Sequence, residues 1–580
     1  MPVKSPIPDV DIPHVDIATF LFSKAQARVD ALAAAGVDEP PLVIDAVSGR
    51  SLCFSDIKRN ALAIARGLSA LIPKDPTSKS ASGEQNICID RAVLMLMRNN
   101  VMYSAVHFGI LMAGCTHVAL DSKLSAQELA TKLKEIGLTL AVAAFVDAEA
   151  VDALEAAAKI AGVELLEQAV FTISNDDHLA LDTLVQENIG KPFTPHAFTP
   201  EETATSPALV VYSSGTSGRA KGIVLTHRNI LAGCAMVGSY SAQTTTAERY
   251  SPTGIDGNGI NRSPNRMLAP LPPCHVYGHS VPSYHALISG QSVVFLREFE
   301  ATACLEAIER YKITHISATP KIMQTLLHET TKVDACTVRL RDGPEAKFHI
   351  GSVVSVICGG ASVPPATSQR YSEYFGGALV MVGYGQTESA GVITNNGWGI
   401  QIAPGAIGVL YPNTAAKVVD AEGNETDALG ELCISGPHVM KGYVGNVKSP
   451  IVDGFLHTGD YARLSADGHV YFHGRLEDVV HTAHGQIIPT DVEAMLADNP
   501  AVVDSAVVGV GEKGKAQAVV FLVLADSDVP KNELLADISQ LVKTLARSAH
   551  IVCHEIPKIP RNLAGKAIRA MLSEHIEQRL

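Results

Sequence analysis

Strand-sized apolar runs alternate along this chain with stretches whose apolar residues recur at helical spacing. Ala92-Val93-Leu94-Met95-Leu96, residues 139–146, 292–295, His315-Ile316-Ser317 and residues 353–357 are runs of the first kind. Leu42-Val43-Ile44-Asp45 is another. It precedes a helix predicted over 56–71, where Ile57, Ala61, Ile64, Ala65 and Leu68 share one face. Such alternation predicts an α/β protein with mostly parallel sheets covered by helices. From about residue 405 the pattern changes to short strands parted by glycine turns, as in Gly430-Glu431-Leu432-Cys433-Ile434 and Gly468-His469-Val470-Tyr471-Phe472. These predict a small antiparallel barrel or sheet. A third pattern follows Gly474: a helix over 490–497, strands at 506–508 and 519–524, a helix over 531–546, then a basic tail. We therefore expect a boundary at 475–478, with a large domain over 1–474 and a small one over 475–580. Residues 240–266 read as a long polar surface loop.

Composition narrows the function classes. A chain of 580 residues exceeds what one core supports. Its formal net charge of −14 argues against a nucleic-acid partner. Residues 541–580 depart from this balance, with seven Lys/Arg against three Asp/Glu. That excess reads either as a local anion site or as a solvated helix face. The ten cysteines are scattered singly, which indicates neither a zinc site nor a redox pair. No run approaches the ~20 apolar residues of a membrane span. A signal-peptide pattern is absent from residues 1–13. The expected location is cytoplasmic. Peroxisomal import is the alternative, because Gln578-Arg579-Leu580 loosely resembles a Ser-Lys-Leu ending.

The most informative chemistry lies at Val211-Tyr212-Ser213-Ser214-Gly215-Thr216-Ser217-Gly218-Arg219-Ala220-Lys221-Gly222. Glycines let backbone N–H groups approach an anion, hydroxyls add donors, and Lys221 adds a charge. The loop suits a polyphosphate. It is not a Walker A loop, since Ala220 and Gly222 stand where that motif needs Gly and Ser or Thr. An apolar strand leads into it and another leaves it, and Thr226-His227-Arg228-Asn229 reads as a helix start.

Four more segments follow in order: Gly383-Tyr384-Gly385-Gln386-Thr387-Glu388, Leu456-His457-Thr458-Gly459-Asp460, Gly474-Arg475-Leu476-Glu477-Asp478, and Pro560-Arg561-Asn562-Leu563-Ala564-Gly565-Lys566. Alone, each has an ordinary structural reading. Gly-Asp is a common turn, Thr-Glu a helix start, and Tyr384 a strand-end core residue. Together with the phosphate loop they resemble the adenylate-forming superfamily: acyl- and aryl-CoA synthetases, adenylation domains of peptide synthetases, and beetle luciferases. The resemblance runs from about residue 40 to 575. Leu271-Pro272-Pro273-Cys274-His275-Val276-Tyr277-Gly278 and Cys358-Gly359-Gly360-Ala361 resemble the coumarate–CoA ligase-like branch.

The resemblance implies a large N-terminal domain of two α/β subdomains plus a small β-barrel. A small, mobile α+β C-terminal domain should follow, hinged near Glu477. It implies attack of a carboxylic acid on the α-phosphate of ATP, with pyrophosphate released and acyl-AMP formed. Transfer to CoA as a thioester follows. The alternative acceptor is a carrier-protein thiol, an amine or an alcohol. Carried over residue by residue, Ser213, Ser214, Gly215, Thr216, Ser217, Gly218 and Lys221 hold the β- and γ-phosphates. Gly359, Gly360, Ala361, Tyr384 and Gly385 meet adenine, while Asp460 and Arg475 meet the ribose. Thr387 donates to the α-phosphate and Glu388 binds Mg²⁺, a hard cation suited to carboxylate oxygen. Lys566 bridges carboxylate and α-phosphate. His275 lies beside the acyl pocket, whose walls are expected from 236–240, 315–320 and 383–386.

Three positions depart from the family pattern, among them His481, which stands where a basic residue is common. Ala220 replaces a common proline. His484 holds a position, counted back from Pro489, where the family usually has glycine; Gly485 comes one place late. A side chain there would crowd a pantetheine arm. Adenylation is therefore better supported by the sequence than transfer to CoA.

Overall fold

A computed structural model of the chain describes residues 2–72, 87, 89, 91–138, 140–141, 143–165, 169–173, 179–213, 220–244, 265–341, 346–396, 401–445, 447–483, 485–497, 499–512, 514–525, 529–545, 551–561 and 566–577. Statements of absence below refer to these residues.

Two large sheets carry the N-terminal part. The first aligns strands Ala143–Val146, Ala92–Leu96, Thr116–Ala119 and Pro207–Tyr212 in parallel. Antiparallel Gly222–Thr226 then closes back on Pro207–Tyr212. Ala92–Leu96 is buried at every position, as a parallel strand covered on both faces must be. The second sheet has a parallel core in the order Val43–Asp45, Ser292–Phe295, Arg266–Ala269, His315–Ala318, Ser355–Gly359, Leu379–Tyr384. Beyond Leu379–Tyr384 it continues, antiparallel, through Thr394–Asn395, Gly408–Leu410, His469–Arg475, Phe455–Leu464, Gly430–Ser435 and Ala415–Val419. The antiparallel part is thus nearly closed, yet hydrogen-bonded to the parallel part as one sheet. The pair Tyr384↔Thr394 lies at this junction, and the pair Asp460↔Arg475 lies within the antiparallel part.

The C-terminal part is a three-stranded sheet, Val502–Val510, Gln517–Leu524 and Ile551–Glu555, with helices Pro489–Ala497, Lys531–Leu545 and Arg569–Glu577. A short turn, Leu476–Asp478, connects it to the large sheet. It owns its core: Val480, Leu496, Val507, Val520 and Ile538 on one side, Phe521, Ile559, Leu572 and Ile576 on the other.

Several elements differ from expectation. Helix Ile17–Ala34 was not anticipated, because only its first turns bury apolar residues (Ile17, Ala18, Leu21, Phe22, Ala25). Asp16 caps it by accepting from the Thr19 amide at 2.9 Å. The run at 139–146 divides into Leu140–Ala141 and Ala143–Val146, which belong to different sheets. The loop expected from 240 begins later, since helix His227–Thr244 runs through 240–244; residues 245–264 lie outside those described. The described part of the basic tail includes a strand, Ile551–Glu555, and a helix, Arg569–Glu577. Ile551 and Cys553 bury inward from this strand, which is parallel to Gln517–Leu524. Among the tail's described residues, Arg561 pairs with Asp504 at 2.6 Å, and Arg569 with Glu493 at 2.8 Å and Asp478 at 3.0 Å. Both arginines and Lys566 also line the cavity described below, so the local anion site is the reading of the tail that fits. Seven of the nine described cysteines are buried, consistent with small core residues. No described helix is long and apolar enough to cross a membrane.

Candidate active site

A cavity of about 1360 Å³ opens where the large sheet meets the C-terminal part. Its lining brings together Ser213, Lys221, His275, Gly359–Ala361, Tyr384, Gly385, Thr387, Glu388, Asp460, Arg475 and Lys566. Ser214, Gly215, Thr216, Ser217 and Gly218 lie outside the described residues. The ends of their loop are held together: the Ser213 amide donates to the Lys221 carbonyl at 3.0 Å.

The best-defined cluster surrounds Asp460, which is only 2% exposed. Its Oδ2 accepts from the Tyr384 hydroxyl at 2.6 Å and from Gln386 Nε2 at 2.5 Å, and its Oδ1 accepts from Arg475 at 2.8 Å. A carboxylate buried this deeply needs such partners, because burial without them is costly. Arg475 also donates to the Thr458 carbonyl at 3.0 Å. Gly459 carries φ +67°, and a Cβ there would sit 3.0 Å from the Arg475 guanidinium. Only glycine fits that turn without moving the arginine. Burial first, and the Asp460 charge next, hold the Tyr384 hydroxyl well above its ordinary value. It is therefore a permanent donor.

Thr387 and Glu388 sit in the turn Thr387–Ser389, directly after strand Leu379–Tyr384 and the two residues that follow it. Glu388 Oε1 accepts from the Tyr443 hydroxyl at 3.0 Å, and Lys221 Nζ lies 5.1 Å from the centroid of the Tyr443 ring. Tyr443 thus stands between the predicted phosphate lysine and the predicted metal carboxylate. Glu388 offers hard oxygen in a cavity sized for a nucleotide, which suits Mg²⁺ shared with phosphates. Gly359 and Gly383 are register partners, and a Cβ on Gly359 would meet the Gly383 carbonyl at 3.0 Å. The strand ends leave a flat floor beside Tyr384.

His275 precedes helix Val276–Ser280 and lines the cavity; its Nε2 is buried with no hydrogen-bond partner. Burial lowers its pKa, only partly offset by Asp121. Of the 236–240 wall, Val237 lines the cavity whereas Met236 is fully buried, and the Tyr240 side chain lies outside the description.

Lys566 comes from the C-terminal part and reaches the same cavity. Burial lowers its pKa most, followed by Asp460 raising it, Arg475 lowering it, and Glu388 and Asp478 raising it. Glu477 is half exposed, 3.9 Å from Arg475. His484 lies outside the described residues. Gly485 has φ +130° and turns the hairpin Val480–Thr482/Gly485–Ile487.

Of the expected 315–320 wall, His315, Ser317 and Pro320 line the cavity. The sequence did not reveal Tyr443, the Gln386–Asp460 bond, or His285 and Gln291 as the polar neighbours of His315.

The cavity lies between the large sheet and the smaller C-terminal part, and similarity gives the chain a family. Residues 33–444 match the AMP-binding enzyme family, and residues 491–566 match the AMP-binding enzyme C-terminal domain. The chain belongs to this family, the adenylate-forming superfamily, in its coumarate–CoA ligase-like branch. It is 28% identical to 4-coumarate–CoA ligase-like 3 of Oryza sativa subsp. japonica, across 92% of this chain and 85% of that one. It is 24% identical to 4-coumarate–CoA ligase of Pinus taeda, across 99% and 97%. Its fold matches ATP-bound MatB from Rhodopseudomonas palustris with a TM-score of 0.74 at 22% identity, covering 96% of this chain and 99% of that one.

Proposed function

We propose that the protein is an ATP-dependent acid–CoA ligase that forms acyl-AMP and then the thioester. The observation that carries this is Lys566, delivered from the C-terminal part into the cavity that holds Asp460, Arg475 and Glu388. In the first step a carboxylate oxygen attacks the α-phosphorus, the α–β bridging bond breaks, and pyrophosphate leaves. Two anions must meet, so fixed cations and donors supply most of the acceleration. Lys221 and the 213–218 loop hold the β- and γ-phosphates. The Tyr384 face and the Gly359–Ala361 floor sandwich adenine. Asp460, oriented by Tyr384, Gln386 and Arg475, accepts from the ribose hydroxyls. Thr387 donates to the α-phosphate. Glu388 would hold Mg²⁺, which neutralises phosphate charge when bound. Lys566 sits between carboxylate and α-phosphate and stabilises the charge that builds there. A single preorganised donor of this kind contributes ~3–4 kcal/mol.

In the second step the CoA thiolate attacks the acyl carbon and AMP leaves. The C-terminal part then has to turn about 475–478 so that Lys566 withdraws and the 480–487 hairpin enters, with His275 flanking the path. The similarity to CoA ligases favours CoA over a carrier-protein, amine or alcohol acceptor. Chromatography of the products tests the reading. With ATP, Mg²⁺ and a suitable acid, acyl-AMP and pyrophosphate should accumulate; adding CoA should convert the adduct to acyl-CoA and AMP. Adduct that persists with CoA but disappears with hydroxylamine would overturn the CoA step.

A further inference from the structure

The acyl part of the cavity runs down one face of the parallel sheet. Strand alternation turns His315, Ser317, Ile357, Met381 and Met267 toward it, while Ile316, Ala318, Val356 and Cys358 bury on the opposite face. Register fixes its depth. Gly359 pairs with Gly383 at the nucleotide end, whereas His315 pairs with Ser355, four residues earlier on the same strand. At the parallel-strand rise, that difference is ~13 Å.

At this depth a polar group joins the lining beside Met267, the register partner of His315. The Gln291 side chain bridges two imidazoles, 3.1 Å from His285 Nε2 and 3.0 Å from His315 Nδ1. Thr314 Oγ1 lies 2.7 Å from the same His315 nitrogen and donates to the Arg266 carbonyl at 3.0 Å. Gln291 is only 6% exposed, yet it lines the cavity together with His285, His315 and Asn265. Within this relay the amide uses one donor and one acceptor, and His285 one of its two nitrogens. The remaining capacity of both groups is not spent inside the relay.

A plain alkyl chain seated here would strip water from these groups and return no hydrogen bond, which is unfavourable. His285, Gln291 and His315 bring no cation for a distal carboxylate, and the guanidiniums nearest them are committed to backbone, Arg266 to the Tyr311 carbonyl at 2.7 Å and Arg28 to the Leu287 and Ile288 carbonyls at 3.1 and 2.6 Å. We propose that His285, Gln291 and His315 select the acid, and that the substrate is an acid of roughly ten chain carbons, spanning the ~13 Å depth, with a neutral hydroxyl or keto oxygen at its far end. Burial supports the neutrality of this polar group: it pushes His315 down to about 4 and lowers His285 as well. The inference rests on the ligase reading.

Pyrophosphate release with ω-hydroxydecanoate, decanoate and decanedioate tests it in the full-length protein. The hydroxy acid should exceed both others in kcat/KM by about 10-fold or more, because a site built to hydrogen-bond rejects analogues that cannot. Gln291→Leu should bring the hydroxydecanoate-to-decanoate ratio near one while KM for ATP stays unchanged. A wild-type ratio at or below one, or a ratio unaltered in the variant, overturns the assignment. The wild-type ratio decides by itself if the variant does not fold. Failure to release pyrophosphate with any acid, simple aryl and alkyl acids included, would overturn the ligase reading instead.

Discussion

Asp460 shows how one buried charge organises a site. Three donors converge on it, two of them neutral, so its carboxylate is held in place before a ligand arrives. Asp460→Asn would remove the charge facing Arg475 and put a donor among donors. We expect KM for ATP to rise about 10- to 100-fold, the equivalent of losing hydrogen bonds to a charged group. Tyr384→Phe should cost only a few-fold; steady-state kinetics with varied ATP separates the two. Lys566 makes a pH prediction. The acting form is the ammonium, and burial sets its pKa below the 10.5 of an ordinary lysine. Adenylation should therefore fall with rising pH on an alkaline limb earlier than an exposed lysine would give. Removing Glu388, which raises this pKa, should move the limb earlier still.

At the scale of elements, glycines set the approach of the two parts. Gly474 has φ +126°, and a Cβ there would meet Thr490 Oγ1 at 2.8 Å, where Thr490 donates to the His473 carbonyl. Gly474→Ala should destabilise this junction by about 1–3 kcal/mol. Thermal unfolding of the variant should show the loss, and acyl-AMP formation should slow because Lys566 is misplaced. The parallel strands were legible in the sequence because strands covered on both faces are continuous apolar runs, as at Ala92–Leu96. Helix Ile17–Ala34 was not, since its fully buried residues stop at Ala25 and its second half is alanine-rich and largely exposed. The ion pairs of the tail were hidden for another reason: Arg561 and Arg569 find their partners in Asp504, Asp478 and Glu493, which arrive from distant positions. Motifs identified the residue types of the site, but Tyr443 comes from strand Gly442–Tyr443 and Gln291 from just before strand Ser292–Phe295, positions that no local spacing connects to the motifs.

Across the whole molecule, buried histidines set the response to acid. Burial pushes His279 down to about 3, His227 and His438 to about 4, and lowers His107 and His117 as well. The last two join His279 in a fully buried network with Tyr103 and Tyr284. Unfolded, these imidazoles take up protons near the ordinary value of 6.5; folded, they do not until well below it. Between those limits the unfolded state binds more protons, so stability falls as pH falls. Each such histidine contributes up to ~1.4 kcal/mol per pH unit. The melting temperature should drop between about pH 7 and about pH 5, more steeply than in a His279→Asn variant.

The two-part construction places the reacting charges on different bodies, and that division is the core of the account. Acid-dependent exchange of labelled pyrophosphate into ATP reads the adenylation step alone, before any thiol acts. The wild-type protein should exchange in the presence of acid and Mg²⁺ without CoA. Lys566→Ala should lose about 100- to 1000-fold of that exchange while binding ATP with similar affinity. Exchange at the wild-type rate in this variant would contradict the account.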